Sequence, residues 1–459
     1  MMLRQLNQYF IFIILFSAIS ACSLTSEEVS TDPAYKLRFS TDTIFFDTIF
    51  SEIPSITKRL KVYNDHNAAV VIASIGLSNE AGPYELTLNG RKGTSFANTK
   101  LLANDSLLVL IDAYVTDRDN DLPYVVEDQL IFATNGNNQE VSIFSWGQDA
   151  FYLKDSVIAC NTRWTAGKPY IIYDNVLVDS LCTLTLDPGT RVFSHLGSQI
   201  YVKGTVTAMG AADNPIILTN DRFDGDFQSY PGQWGGITFL PGSKNNLISY
   251  ANIRNAEFGI WLGTPDDDDI PDLIIENSII ENMSNSALVA FTSDLEINNS
   301  LLNNSGDVLL GLLAGGNYVL NHNTIANYGY GMFKSQPSFI LTDQLELADG
   351  SFIKDKVELT MANNIVWGPA TNEIVFENEA GEEFSLSMSH NLLRTSDDSF
   401  VGFNNILNED PLFILPAEFN YQLDAGSPAI KTGTDKGFLI DLIGNMRNAP
   451  PDIGAYEKQ

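Results

Sequence analysis

The sequence predicts an all-β chain: an antiparallel, immunoglobulin-like sandwich followed by a single-stranded parallel β-helix. Three observations carry this. Residues 35–150 hold short alternating strands separated by turn signals, and from residue 151 the chain repeats itself at about 22 residues. The apolar runs in both regions are too short for helices and lack a helical period.

At the N-terminus, Arg4 precedes an apolar run opened by Tyr9-Phe10-Ile11-Phe12 and closed by Ile19-Ser20-Ala21-Cys22. The run is shorter than the roughly 20 apolar residues a membrane-spanning helix needs, so residues 1–21 read as a signal peptide. The four residues ending in Cys22 resemble the bacterial lipobox. That resemblance implies acylation of the Cys22 thiol and cleavage just before it. Several acyl chains, at about 0.8 kcal/mol per buried CH₂, hold a protein on its membrane almost permanently. Residues 22–34 read as a flexible tether, because Ser23 to Ser30 is polar and free of aromatics. This stretch resembles the acidic tethers of surface-displayed lipoproteins of the Bacteroidetes, which implies an outer-membrane, surface-exposed place in the cell envelope.

The sandwich rests on Lys61-Val62-Tyr63-Asn64, Val70-Val71-Ile72-Ala73, Tyr84-Glu85-Leu86-Thr87-Leu88 before Asn89-Gly90, and Gln129-Leu130-Ile131-Phe132 before Asn135-Gly136. Asn-Gly between alternating strands is a hairpin signal, and strands at this spacing without helices build two packed antiparallel sheets. The unit closes at Ala150, and residues 151–459 form the β-helix.

The repeats align residue by residue. Ile275-Glu276-Asn277-Ser278-Ile279 returns as Ile297-Asn298-Asn299-Ser300-Leu301 and as Leu320-Asn321-His322-Asn323-Thr324. Ile248-Ser249-Tyr250 precedes them, and Met361-Ala362-Asn363 and Met388-Ser389-His390 follow at longer steps. Short β-branched and aliphatic runs separated by Asn, Gly and Ser corners, at about 22 residues per unit, make one coil of a parallel β-helix. Leucine-rich repeats share the period but demand a leucine consensus that is absent. In a parallel stack, equivalent positions lie about 4.8 Å apart, so Asn277, Asn299 and Asn363 are expected to form an amide ladder, with His322 and His390 as its other members. Cys160 and Cys182 stand 22 residues apart, close to one coil, which leaves two readings: a disulfide, or two buried free thiols.

The step from Leu320 to Met361 exceeds a coil, so an insertion is expected near residues 334–356, with a hairpin signal at Asp349-Gly350. A hairpin leaving a coil at its corner overhangs one face, where solenoids usually place binding contacts. Downstream, Leu423-Asp424-Ala425-Gly426-Ser427-Pro428-Ala429-Ile430, Asp441-Leu442-Ile443-Gly444-Asn445 and Pro451-Asp452-Ile453-Gly454-Ala455-Tyr456-Glu457 look like the C-terminal block of many β-helix repeat proteins of bacterial envelopes. With the sandwich, the segment Pro231 to Ile237 and the lipobox, the resemblance is to right-handed parallel β-helix lipoproteins of the Bacteroidetes and covers nearly the whole chain. It implies a right-handed coil and no particular reaction. Residues 423–459 are expected to cap the open end of the last coil, with Asp452 and Arg447 supplying charges.

The formal charge is −31, and −32 once Arg4 leaves with the signal. Such a surface repels nucleic acid but is compatible with divalent cations and neutral glycans. β-Elimination of acidic polysaccharides needs a cation held by carboxylates and a basic side chain. Asp266, Asp267, Asp268 and Asp269 form the densest carboxylate cluster and are the candidate Ca²⁺ ligands, with Arg254 one strand earlier. Hydrolysis needs two carboxylates on one groove, and Asp221, Asp224 and Asp226 are the candidates. Tyr230, Trp234, Trp261 and Trp367 are the candidate glycan contacts. The weight falls on a non-catalytic module, held on a membrane by lipid, that binds a glycan or a surface protein. A polysaccharide lyase or glycoside hydrolase is the alternative.

Overall fold

The structure is a computed structural model that describes residues 27–223, 225–263, 270–334 and 336–459. The signal peptide, Cys22 with the start of its tether, Asp224 and the run Asp266 to Asp269 lie outside the described residues. The chain forms two compact units. One ends at Arg118 and resumes over Pro123–Gln148; the other takes Asp119–Leu122 and Asp149–Gln459.

The first unit is two five-stranded sheets. Its strands alternate as a half-buried sheet requires. Along Tyr124–Thr134 the buried positions are Val126, Asp128, Leu130, Phe132 and Thr134, every second residue. Phe46, Leu60, Ile72, Leu86, Val109, Phe132 and Val141 are fully buried between the sheets. One pairing departs from the antiparallel expectation: Thr43–Phe50 runs parallel to Asn137–Gln148. The strand just before it, Arg38–Phe39, belongs to the other sheet, and a strand that changes sheets is freed from the direction a hairpin imposes.

In the second unit the strands of each coil pair in parallel with their counterparts one coil later. Ile248 faces Ile275, Ile275 faces Ile297, Ile297 faces Leu320, Leu320 faces Met361 and Met361 faces Met388, so the aligned repeats are the rungs. A second column of inward side chains, Val202, Phe239, Leu262, Ala290, Leu312 and Leu341, is buried throughout.

Amide columns hold the corners. Tyr250, Asn277, Asn299, His322, Asn363 and His390 all adopt left-handed backbone, with φ between 47° and 59°. Asparagine tolerates that conformation better than most residues and also bonds locally. The Asn299 amide donates to Asn277 at 2.6 Å, and the Asn363 amide to His322 Nε2 at 2.8 Å. Two further columns were not anticipated. Asn323, Asn364, Asn391 and Asn405 form a buried chain of amide bonds of 2.9 to 3.1 Å. Asn220, Asn255, Asn282 and Asn304 form another at 2.8 to 2.9 Å. Each satisfies polar backbone that a coil corner would otherwise bury unpaired.

The C-terminal block runs along the flank of the coils. Asn363 exchanges two bonds with Thr434, Ala455 N–H donates to Thr324, and Arg447 donates to Asn299 at 2.5 Å. Leu442, Ile453, Ala455 and Tyr456 cover Leu301, Ala326, Ile365 and Leu392. Those four rung residues are apolar and face out of the coil, so this flank carries surface that needs covering. Asp441, Asp452 and Glu457 fix the block by accepting backbone N–H groups on both carboxylate oxygens.

Candidate functional site

A groove of about 980 Å³ opens on another face of the coil stack. Its floor is one outward column in which Thr238 faces Trp261, Trp261 faces Val289, Val289 faces Gly311 and Gly311 faces Ile340. The flanking residues on each strand, such as Ile260 and Leu262, point into the core, so from Trp261 onward these strands are apolar on both faces. A strand of that kind is buried on both sides or binds something.

Aromatic rings converge at one end. Trp261 meets Phe258 edge-on at 5.3 Å and Phe291 at 4.7 Å, all three partly exposed. Gly311 is closely packed in the column, where an added Cβ would meet Val308 at 3.3 Å and Val289 at 3.6 Å. The far wall is the inserted hairpin, Gln344–Glu346 paired antiparallel with Phe352–Lys354, which contributes Leu345, Leu347 and Ile353.

That wall is pinned at its base. The fully buried Asp343 carboxylate accepts the N–H groups of Glu379, Ala380 and Glu382 at 2.9 to 3.3 Å. At the start of the insertion, Lys334 is ion-paired with the buried Glu373, whose carboxylate also accepts Ser338 N–H and O–H and Ala370 N–H. Burial pulls the Lys334 ammonium below its usual value, against the pull of Glu373. The polar residues of the lining are Thr238, at one end of the floor column, with Asn285, Ser286, Thr292, Asp307 and Gln336. Burial raises the Asp307 carboxyl above the usual aspartate range.

Of the four predicted aromatic contacts, the groove gathers only Trp261. Trp234 is 1% exposed and plugs the coil, its indole N–H bonded to Arg254 O at 2.9 Å. Trp367 is 3% exposed beneath the C-terminal block. Both are core residues, a correction to the expected contact strip: tryptophan is as useful for filling a coil corner as for stacking on a ligand. Tyr230 is 46% exposed and stacks edge-on against Phe227, away from the groove lining.

Asp221 bonds His195 Nδ1 at 2.8 Å, with Tyr173 against the imidazole at 4.6 Å. Burial raises the Asp221 carboxyl, opposed by its bond to His195, and pushes the Tyr173 phenol up to about 12. Cys160 and Cys182 form a disulfide, with Cα atoms 4.4 Å apart. Among the described residues no three His, Cys, Asp or Glu side chains gather to hold a metal, and the proposed Ca²⁺ ligands Asp266 to Asp269 lie outside them.

The match to known families runs over residues 131–328, to the family described as the right-handed beta helix region. This unit is a right-handed parallel β-helix. No curated protein matches the chain. Among solved structures, the catalytic unit of a thermostable GH87 α-1,3-glucanase from Streptomyces thermodiastaticus is similar at 12% identity and a TM-score of 0.32, over 74% of this chain and 75% of that one. A protein of unknown function from Porphyromonas gingivalis W83 is similar at 14% identity and a TM-score of 0.18, over 27% of this chain. The chain spans 59% of that protein's length. Likeness at this level assigns no activity to the β-helix.

The groove residues that sequence reasoning missed are Phe258, Val289, Phe291, Gly311 and Ile340. Their signal was present in a strand of the coil that the amide alignment did not use. Ile260-Trp261-Leu262, Leu288-Val289-Ala290, Leu310-Gly311-Leu312 and Phe339-Ile340-Leu341 lack any polar outward residue.

Proposed function

We propose that this chain is a lipoprotein of the cell envelope, anchored through Cys22, whose β-helix binds a glycan in the hairpin-walled groove without cleaving it. The observation that carries the reading is the outward column from Trp261 to Ile340, an apolar floor led by an aromatic ring, in a lining that also holds a few hydrogen-bonding side chains. Pockets for organic ligands have this character, apolar walls with a few placed polar groups. A sugar chain offers C–H faces to Trp261 and Phe291 and hydroxyls to Asn285, Asp307 and Gln336. Binding without turnover is favoured because Asp307 is the single carboxylate among the described lining residues, whereas glycosidases work with two.

The test is retention of the full chain on immobilised glycans alongside assays for new reducing ends and unsaturated products. Retention that is lost in Trp261→Ala, with no product formed, is the expected outcome. Product formation overturns the non-catalytic reading, and retention untouched by Trp261→Ala overturns the site.

A further inference from the structure

We infer that the groove selects uncharged linear glycans over uronate-bearing or sulfated ones, an inference that rests on the binding reading above. Its described lining contains no Lys, Arg or His, and Asp307 is the one ionisable side chain in it. The lysines of the insertion lie outside that lining, and each is ion-paired. Lys334 is buried against Glu373, Lys354 pairs with Glu382 at 2.9 Å and Lys356 with Glu358 at 2.9 Å. The formal charge of −31 adds a repulsive field around the site. A ligand carboxylate or sulfate entering the groove therefore loses water, meets no counter-charge and faces Asp307.

The same lining argues against a hydrocarbon chain as occupant. An acyl chain laid over Trp261 and Ile340 would cover Asn285, Asp307 and Gln336 without offering a single hydrogen bond, and each polar group so buried costs affinity. Sugar hydroxyls satisfy those groups. Five rungs at about 4.8 Å make the floor roughly 20 Å long, and the column runs along the stack, which suits a linear polymer.

The experiment is isothermal titration of the full chain in phospholipid nanodiscs with cellohexaose, xylohexaose and mannohexaose, against hexagalacturonate and an alginate hexamer. At least one neutral hexaose binds, and the acidic hexamers bind about tenfold or more weakly, with the gap shrinking as salt rises. Trp261→Ala abolishes the neutral binding, Asp307→Asn narrows the gap and Asp307→Lys reverses it. Acidic hexamers binding as tightly as neutral ones, but still lost in Trp261→Ala, overturn the selectivity and leave the glycan groove standing. No hexaose bound, or binding indifferent to both Trp261→Ala and Gly311→Leu, overturns both readings. Displacement of the bound hexaose by palmitate assigns the groove to hydrocarbon and likewise overturns the inference.

Discussion

Replacing His322 by Asn should remove the part of the β-helix's acid sensitivity that this imidazole contributes between pH 7 and pH 4, while keeping its corner. Asn363 Oδ1 accepts the Thr434 N–H at 2.8 Å, which fixes the Asn363 amide nitrogen towards His322 Nε2 at 2.8 Å. That ring nitrogen must therefore be an acceptor, and the imidazole neutral. Burial, reinforced by the nearby Arg447 charge, pulls the His322 pKa from 6.5 down to about 3. A folded pKa below the unfolded one means the unfolded chain binds the proton more tightly. The stabilisation is therefore complete above pH 6.5 and is lost as the pH falls towards 3. At about 1.4 kcal/mol per pH unit, this group alone costs the fold about 3 kcal/mol between pH 7 and pH 4.

Asparagine occupies the same column at 277, 299 and 363 with the same left-handed backbone, so His322→Asn retains the corner and a side-chain acceptor for Asn363. At pH 7 the variant should lose about 1 kcal/mol through its ring contact with Phe438. Urea unfolding at pH 7 and pH 4, followed by tryptophan fluorescence, measures the difference. If the variant loses as much stability as the wild type over that interval, within about 0.5 kcal/mol, the reasoning about a neutral, ladder-bound histidine is wrong.

Other expectations are as direct. Glu373→Gln leaves the Lys334 ammonium buried without its counter-charge and should cost about 3 to 5 kcal/mol; Lys334→Met with Glu373→Gln should recover much of this in thermal melts. Reducing the Cys160–Cys182 bond releases a crosslink of 22-residue separation, so Cys160→Ala/Cys182→Ala should cost about 3 kcal/mol, and a urea midpoint indifferent to reductant would contradict it. Cys22→Ser should move the protein from the membrane pellet to the soluble fraction and abolish incorporation of a clickable fatty acid. An unchanged pellet would sink the anchor.

The class of the second unit was legible because its signal is linear. Ile275, Ile297 and Leu320 fall on one column through their spacing alone, and the registers place them opposite one another. What the sequence left hidden depends on neighbours outside the coil. Trp234 and Trp261 share a residue type and a rung neighbourhood, but Trp234 points inward to Arg254 O while Trp261 sits between Thr238 and Val289 on the outer column. Period-two alternation assigns inside and outside only where the outside is polar. In Leu288-Val289-Ala290 and Phe339-Ile340-Leu341 it is not, and both faces read as core.

The two outward apolar surfaces have opposite fates, and the difference supports the proposed site. On one flank, Leu301, Ala326, Ile365 and Leu392 are covered by the chain's own C-terminal block, which is bonded to Asn299, Thr324 and Asn363. On the other face, Trp261, Phe291 and Ile340 are walled by the hairpin but left open to solvent, and the hairpin is held at that distance by Asp343 and by the Lys334–Glu373 pair. Water against apolar surface costs free energy, so a chain able to cover one flank with its own residues would be expected to cover the other unless something else does so in use. Asp343 at the base of the hairpin and Lys334 at the start of the insertion are each tied to residues 373–382, so the wall over this open apolar face is fixed by the chain itself, as the proposed groove requires.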